Sequence, residues 1–307
     1  MGVASGGLDF GRVGVWLNDP ANWTGPNGLL AHLREHVLYT LIAVVVAGAI
    51  ALPLGLAIGH TGRGVALVVG LANGLRAVPT LGAVVLLVVW LSPKMQTAAA
   101  IPGLVPRGGL PYFIPIEIAL VVLAIPPMLT NTYAGVQNIE PAVRDAAAGM
   151  GMTGGQVVRR VELPNALPLI MSGIRSATLQ VIATATVAAY VPFLGGLGRL
   201  IIDGKDVIND PRHGYPAMVS AAIVVAALAV AADLALIAAQ RLVVSPGVAG
   251  RPARRGATPS RTTPSRTTPR RATPRRTTPR RATPRRTTPS RTSGRRATRP
   301  APTPPDP

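Results

Sequence analysis

The 307-residue chain is 48% hydrophobic and 14% charged, against about 25% charged residues in an ordinary soluble domain. Aromatics at 4% exclude a large aromatic-rich soluble core, and the absence of cysteine excludes disulfides, iron–sulfur clusters and thiolate zinc sites. The net charge of +19 is concentrated at one end: from Arg251 onward 17 arginines face one acid, whereas the preceding 250 residues hold 14 basic and 11 acidic groups.

Residues 1–36 are polar and Gly-rich and do not have the pattern of a secretory leader. The first apolar block, Val37–Ile58, carries no Asp, Glu, Lys or Arg and has the roughly 20 residues that a helix needs to cross a bilayer. Val65–Leu91 is long enough for a second span, although Asn73, Arg76 and Pro79 interrupt it. Ile114–Tyr133, with Pro126 and Pro127 inside, Leu169–Phe193 and Tyr215–Ile237 complete five predicted spans. The expected fold is all-α: a polytopic membrane helix bundle over 37–240, preceded by an extracytoplasmic segment (1–36) and followed by a tail (251–307).

Lys and Arg in short loops set orientation. With the N-terminus outside, Arg63, Arg144, Arg159, Arg160 and the arginine-rich tail all fall inside, which suits an odd number of spans and an N-out, C-in topology. The chain is thus expected in the cytoplasmic (inner) membrane as a multi-pass protein.

The longest inside loop, residues 140–168, does not read as a passive connector. Pro141 suits a first helical turn. Ala142–Met150 reads as a short Ala-rich helix, and Gly151 can take the positive φ that ends it. Thr153 can cap a second helix, about Gly154–Val161, which Pro164 would close. The product is a helix–turn–helix at the membrane surface with small residues that allow close approach by another protein.

Asp145-Ala146-Ala147, Gly151, Val161 and Leu163-Pro164 have the spacing of a cytoplasmic signature: Glu-Ala-Ala, three residues, Gly, nine residues, Ile, one residue, Leu-Pro. The chain resembles the permease subunits of binding-protein-dependent ABC importers, with Asp for Glu and Val for Ile as conservative departures. Leu75–Leu81, Leu129–Gly135, Gly173–Thr186 and Gly195–Gly198 resemble stretches of the osmoprotectant branch, while Pro192, Phe193 and Arg199 depart from it. The resemblance covers about residues 35–240. It implies that residues 140–168 couple the bundle to a separate ABC ATPase subunit, and that a substrate-binding protein delivers the cargo. It also implies a compatible solute as that cargo: glycine betaine, choline, carnitine or proline betaine. A permease for methionine or another amino acid would share the same loop. A secondary transporter would show inverted repeats or paired intramembrane carboxylates, and the sequence shows neither.

No catalytic residue, metal or cofactor is expected. The chain lacks a Gly-x4-Gly-Lys-Ser/Thr phosphate loop, and its four histidines (His32, His36, His60, His213) are scattered. Five spans are too few to enclose a polar path, so a second permease subunit, either an identical copy or a paralogue, is expected. Gly48, Gly55 and Gly59, with Ala183, Ala185, Ala188 and Ala189, are candidates for close helix contact. Polar groups at membrane depth usually face protein or a cavity, which makes Asn73, Arg76, Asn131, Gln180, Thr184 and Thr186 candidates for the translocation path. Asn73 and Arg76 could instead satisfy carbonyls freed at a helix break over Gly74–Pro79. The tail repeats five-residue units such as TTPRR, has almost nothing apolar to bury and reads as disordered. It has three open readings: attraction to anionic membrane lipid, phosphate contacts to nucleic acid as the weaker partner, or a role in topology alone.

Overall fold

The computed structural model describes residues 10–95, 109–191, 194–211 and 213–244, with the side chains of Leu71, Asn73 and Arg76 outside that description. Two compact units divide the chain, 1–255 and 256–307, and every described residue belongs to the first. The tail repeats, Pro192 and Phe193 lie outside the described residues.

No strand occurs among the described residues. The helices are α1 (Phe10–Asn18), α2 (Leu29–Thr61), α3 (Val65–Ala77), α4 (Thr80–Leu91) and α5 (Leu110–Gln137), followed by α6 (Pro141–Gly149) and α7 (Gly154–Val157). A π-turn (Val158–Glu162) leads into α8 (Leu163–Ala188), and α9 (Leu197–Asp206) and α10 (Tyr215–Val243) follow. Four stretches are long and apolar enough to cross a bilayer unaided: α2, α5, α7 through α8, and α10.

The predicted second span is instead a pair of shorter helices. Pro79 has no N–H to continue the ladder and forces Val78 out of the helical region (φ −74, ψ 125). The 12 residues of α4 reach only about 18 Å, short of the roughly 30 Å hydrocarbon core. The first span also starts eight residues earlier than expected, at Leu29. Its polar first turns are satisfied by the bundle. The Glu35 carboxylate accepts the Gly196 N–H at 2.8 Å, and buried His36 Nε2 lies 3.2 Å from the Ile182 carbonyl oxygen.

Helix α5 is the centre of the bundle, packed between α2 and α8. Along α2 the buried residues Ala43, Ala47, Ala51, Gly55 and Gly59 recur every fourth position, which is one helix face. A Cβ at Gly55 would lie 2.6 Å from Thr132 Cβ, and one at Gly59 would lie 2.6 Å from Val136 Cβ. These two glycines therefore let the backbones of α2 and α5 meet. On the other side, a Cβ at Gly173 of α8 would stand 2.8 Å from Asn131 Cβ. Gly48 does not join the seam, since its nearest neighbour is Met128 Sδ at 3.9 Å. Of the α8 alanines, Ala185, Ala188 and Ala189 are buried and Ala183 is exposed.

Helix α10 is held at the side of the bundle. On the two candidate spans its Asp233 pairs with Arg175 of α8, where Nη2 donates to Oδ2 at 2.7 Å and Nε donates to Oδ1.

Candidate functional site

The loop between α5 and α8 folds as a helix–turn–helix, and its chain signals act as their chemistry requires. Pro141 opens α6 in its first turn. Gly151 (φ 81) then reverses the chain in the left-handed region. The Gly151 N–H donates to Ala148 O at 2.9 Å and the Met152 N–H donates to Ala147 O at 3.3 Å, the paired bonds of a Schellman motif. Gln156 reaches back to accept the Thr153 N–H at 2.8 Å, as in a capping box.

Pro164 does not end the second helix, contrary to expectation. The helical path runs through it into α8. A proline removes one i→i−4 bond and crowds the carbonyl four residues back. The π-turn before it relieves both, because the Leu163 N–H already bonds five residues back, to Val158 O. The loop is therefore continuous with a membrane-crossing helix.

The signature residues divide by surroundings. Asp145, Ala146 and Gly151 are exposed, as are the apolar Val143 and Met150. Ala147 is buried, and Val161, Leu163 and Pro164 are half-buried. Leu163 packs on Val136, Ala166 and Ile170 beneath the loop.

Between these two sets lies a charge cluster that sequence reading missed. The Glu162 side chain has 0% exposure. His60 Nδ1, from the last turn of α2, is 2.9 Å from Glu162 Oε2. Arg144 Nε, from α6, is 3.0 Å from Glu162 Oε1, and Arg144 Nη2 also donates to the Val136 carbonyl at the end of α5. Glu162 sits at the unrestricted position between Val161 and Leu163, and His60 is 102 residues away, so no local pattern joins them. The signal available in sequence was a lone acid between a basic pair and an apolar helix.

Four of the six candidate path residues lie on two helices that pack together, Asn131 on α5 and Gln180, Thr184 and Thr186 on α8. The Asn131 amide donates to Pro127 O at 2.8 Å, and its Cβ faces Gly173 at the α5–α8 seam. Thr186 Oγ1 donates to Ile182 O at 2.9 Å. Thr184 is buried, and Gln180, one turn earlier, is half-buried. The side chains of Asn73 and Arg76 lie outside the described residues.

Residues 49–243 match the family of binding-protein-dependent transport system inner membrane components. The chain is 31% identical over 236 residues to the glycine betaine/carnitine/choline transport system permease protein OpuCB of Bacillus subtilis (strain 168), covering 76% of this chain and 98% of that protein. It is 31% identical over 213 residues to the carnitine transport permease protein OpuCD of Listeria monocytogenes serotype 1/2a (strain 10403S), covering 69% and 85%. Among solved structures, a chain of the inward-facing MetNI methionine ABC transporter matches with a TM-score of 0.58 and 20% identity, covering 71% of this chain and 96% of that one, which shows a shared fold. The chain therefore belongs to the binding-protein-dependent transport system inner membrane components: it is the permease subunit of an ABC importer, a multi-pass membrane protein of a family that works with an ATPase and a substrate-binding protein.

Proposed function

We propose that this permease moves a compatible solute (glycine betaine, choline, carnitine or proline betaine) inward, and that residues 140–168 are the loop through which a separate ATPase chain drives it. The observation that carries the cargo reading is the 31% identity with a betaine/carnitine/choline permease over 98% of that protein's length. The methionine transporter resemblance, at 20% identity, concerns the fold, so methionine and other amino acids remain the second reading.

The docking role has its own support. Val143 and Ala146 of α6 and its C-cap Met150 are exposed at i, i+3 and i+7, an apolar edge with Asp145 beside it. An exposed apolar edge on a short helix outside the spans is what a partner subunit would cover. The absence of a phosphate loop is in keeping with ATP hydrolysis on another chain. Orientation follows from the basic residues: Arg63, Arg144, Arg159, Arg160 and the tail on the cytoplasmic side, with the segment that precedes α2 outside. Asn131 of α5 and Gln180, Thr184 and Thr186 of α8 are the described residues proposed to face the path, together with Asn73 and Arg76. A second permease subunit would complete that path. The tail, on this reading, lies on anionic lipid rather than nucleic acid.

The test is uptake of labelled betaine, choline, carnitine and methionine by cells whose only importer of this kind contains the chain, with co-purification of its ATPase. Solute uptake that Asp145→Lys and Gly151→Pro both abolish, with each protein still inserted, is the expected result. Transport of methionine alone defeats the cargo assignment. Normal uptake by both variants defeats the docking assignment.

A further inference from the structure

We infer that Glu162 is a positioning residue that fastens the coupling loop to the cytoplasmic end of the bundle, so that displacement of the loop is passed on rather than absorbed. The inference rests on the docking role proposed for residues 140–168.

The argument begins with how little else holds α6. It is nine residues long, shorter than a helix that is stable alone, and Ala147 is its one buried residue. Gly151 and the turn after it leave the helix joined to α7 through exposed backbone. Packing of that kind yields readily under load. Glu162 supplies the missing attachment. Its carboxylate is fully buried, and a buried carboxylate is tolerated only when paired. Both of its oxygens meet a basic side chain: Oε1 faces Arg144 Nε at 3.0 Å, and Oε2 faces His60 Nδ1 at 2.9 Å.

Those two partners come from different elements. Arg144 belongs to α6, and its guanidinium reaches a second anchor at the Val136 carbonyl of α5. His60 ends α2, and its Nε2 would lie 3.5 Å from a Cβ placed on Gly154, at the start of α7. One side chain on the π-turn thus ties α2, α5 and α6 together. The same α2 carries the small-residue face that packs on α5, so the clasp joins the loop to a seam where two backbones meet closely. The π-turn has a part in this: it leaves Arg159 and Arg160 exposed while Glu162 points inward.

The test uses the whole transporter, with its ATPase, second permease and binding protein, in proteoliposomes. Glu162→Gln keeps the size of the side chain and removes its charge. The expected result is a complex that assembles with its ATPase and hydrolyses ATP, while solute moved per ATP falls by about two- to thirty-fold, the range for residues that transmit coupling without touching a ligand. His60→Gln, at the half-exposed end of the cluster, should reproduce the loss, and the double variant should be no worse than Glu162→Gln alone, since both break one link. A wild-type ratio of solute to ATP in Glu162→Gln or in His60→Gln overturns the inference. Loss of ATPase assembly in both also overturns it, because the cluster would then be a folding element only. Asp145→Lys separates this from the docking reading. If that variant and Gly151→Pro both assemble and transport normally, the docking reading fails whatever Glu162 does. If Asp145→Lys fails while Glu162→Gln and His60→Gln couple normally, only the present inference falls.

Discussion

Replacing Gly55 by Ala tests the α2–α5 seam, with Gly48 as its internal reference. A Cβ on Gly55 would meet Thr132 Cβ at 2.6 Å, Thr132 Cγ2 at 2.8 Å and the Leu129 carbonyl oxygen at 3.2 Å. Apolar carbons rest at about 3.5–4.0 Å, so the helices must part by roughly 1 Å. A new Thr132 rotamer gives no relief, because the Cβ stays in place and Thr132 Oγ1 is already held by Met128 O at 2.7 Å in a fully buried site. Overpacking of this kind costs about 1–3 kcal/mol. Against it stands a gain of about 1 kcal/mol from replacing a mid-helix glycine by alanine. Gly48→Ala takes the same gain with only Met128 Sδ nearby, at 3.9 Å. Subtracting one variant from the other cancels helix propensity and leaves the clash. At about 2–4 °C per kcal/mol for a domain of this size, Gly55→Ala should melt roughly 2–12 °C below Gly48→Ala in detergent, followed by circular dichroism. Gly59→Ala should follow it, since its Cβ would lie 2.6 Å from Val136 Cβ. Equal melting temperatures for Gly55→Ala and Gly48→Ala would refute the close-packed seam.

Two further outcomes are expected. Arg175→Ala strands Asp233 at membrane depth and Asp233→Ala strands Arg175, so each single variant should lower the amount of inserted protein more than the double Arg175→Ala/Asp233→Ala, as quantitative membrane blots would show. Gly151 holds φ 81, where a non-glycine residue costs about 1–2 kcal/mol and a β-branched one more. Gly151→Val should therefore release the ATPase on purification, while Gly151→Asn, which tolerates the left-handed region, should retain it.

The parts of this architecture that announce themselves in sequence are those set by local chemistry. Pro141, Gly151 and Thr153 each impose a backbone state on their immediate neighbours, so the α6–turn–α7 geometry could be read residue by residue. Apolar blocks located the spans for the same reason: length and hydropathy are local sums. Pro164 misled because a proline stops a helix only where the preceding turn cannot widen, and the π-turn at Val158–Glu162 is a tertiary accommodation. The start of α2 was hidden because His32, Glu35 and His36 look like surface residues until Gly196 and Ile182 arrive from more than 140 positions away. The same holds for His60 with Glu162 and for Arg175 with Asp233, which stand 102 and 58 positions apart in the chain. The candidate path residues follow from polarity alone, a criterion that does not show that Asn131 donates back to the Pro127 carbonyl of its own helix.

The interruption at Val78–Pro79 has a consequence for where water must go. Ending α3 and restarting α4 midway along one predicted span leaves carbonyls at one stump and amides at the other without intrahelical partners. Hydrocarbon chains offer them nothing, so that elbow has to turn away from lipid, toward other polypeptide or a hydrated hollow. A bilayer therefore acts as a compass for this subunit, turning its broken rod away from the acyl chains and toward protein or water.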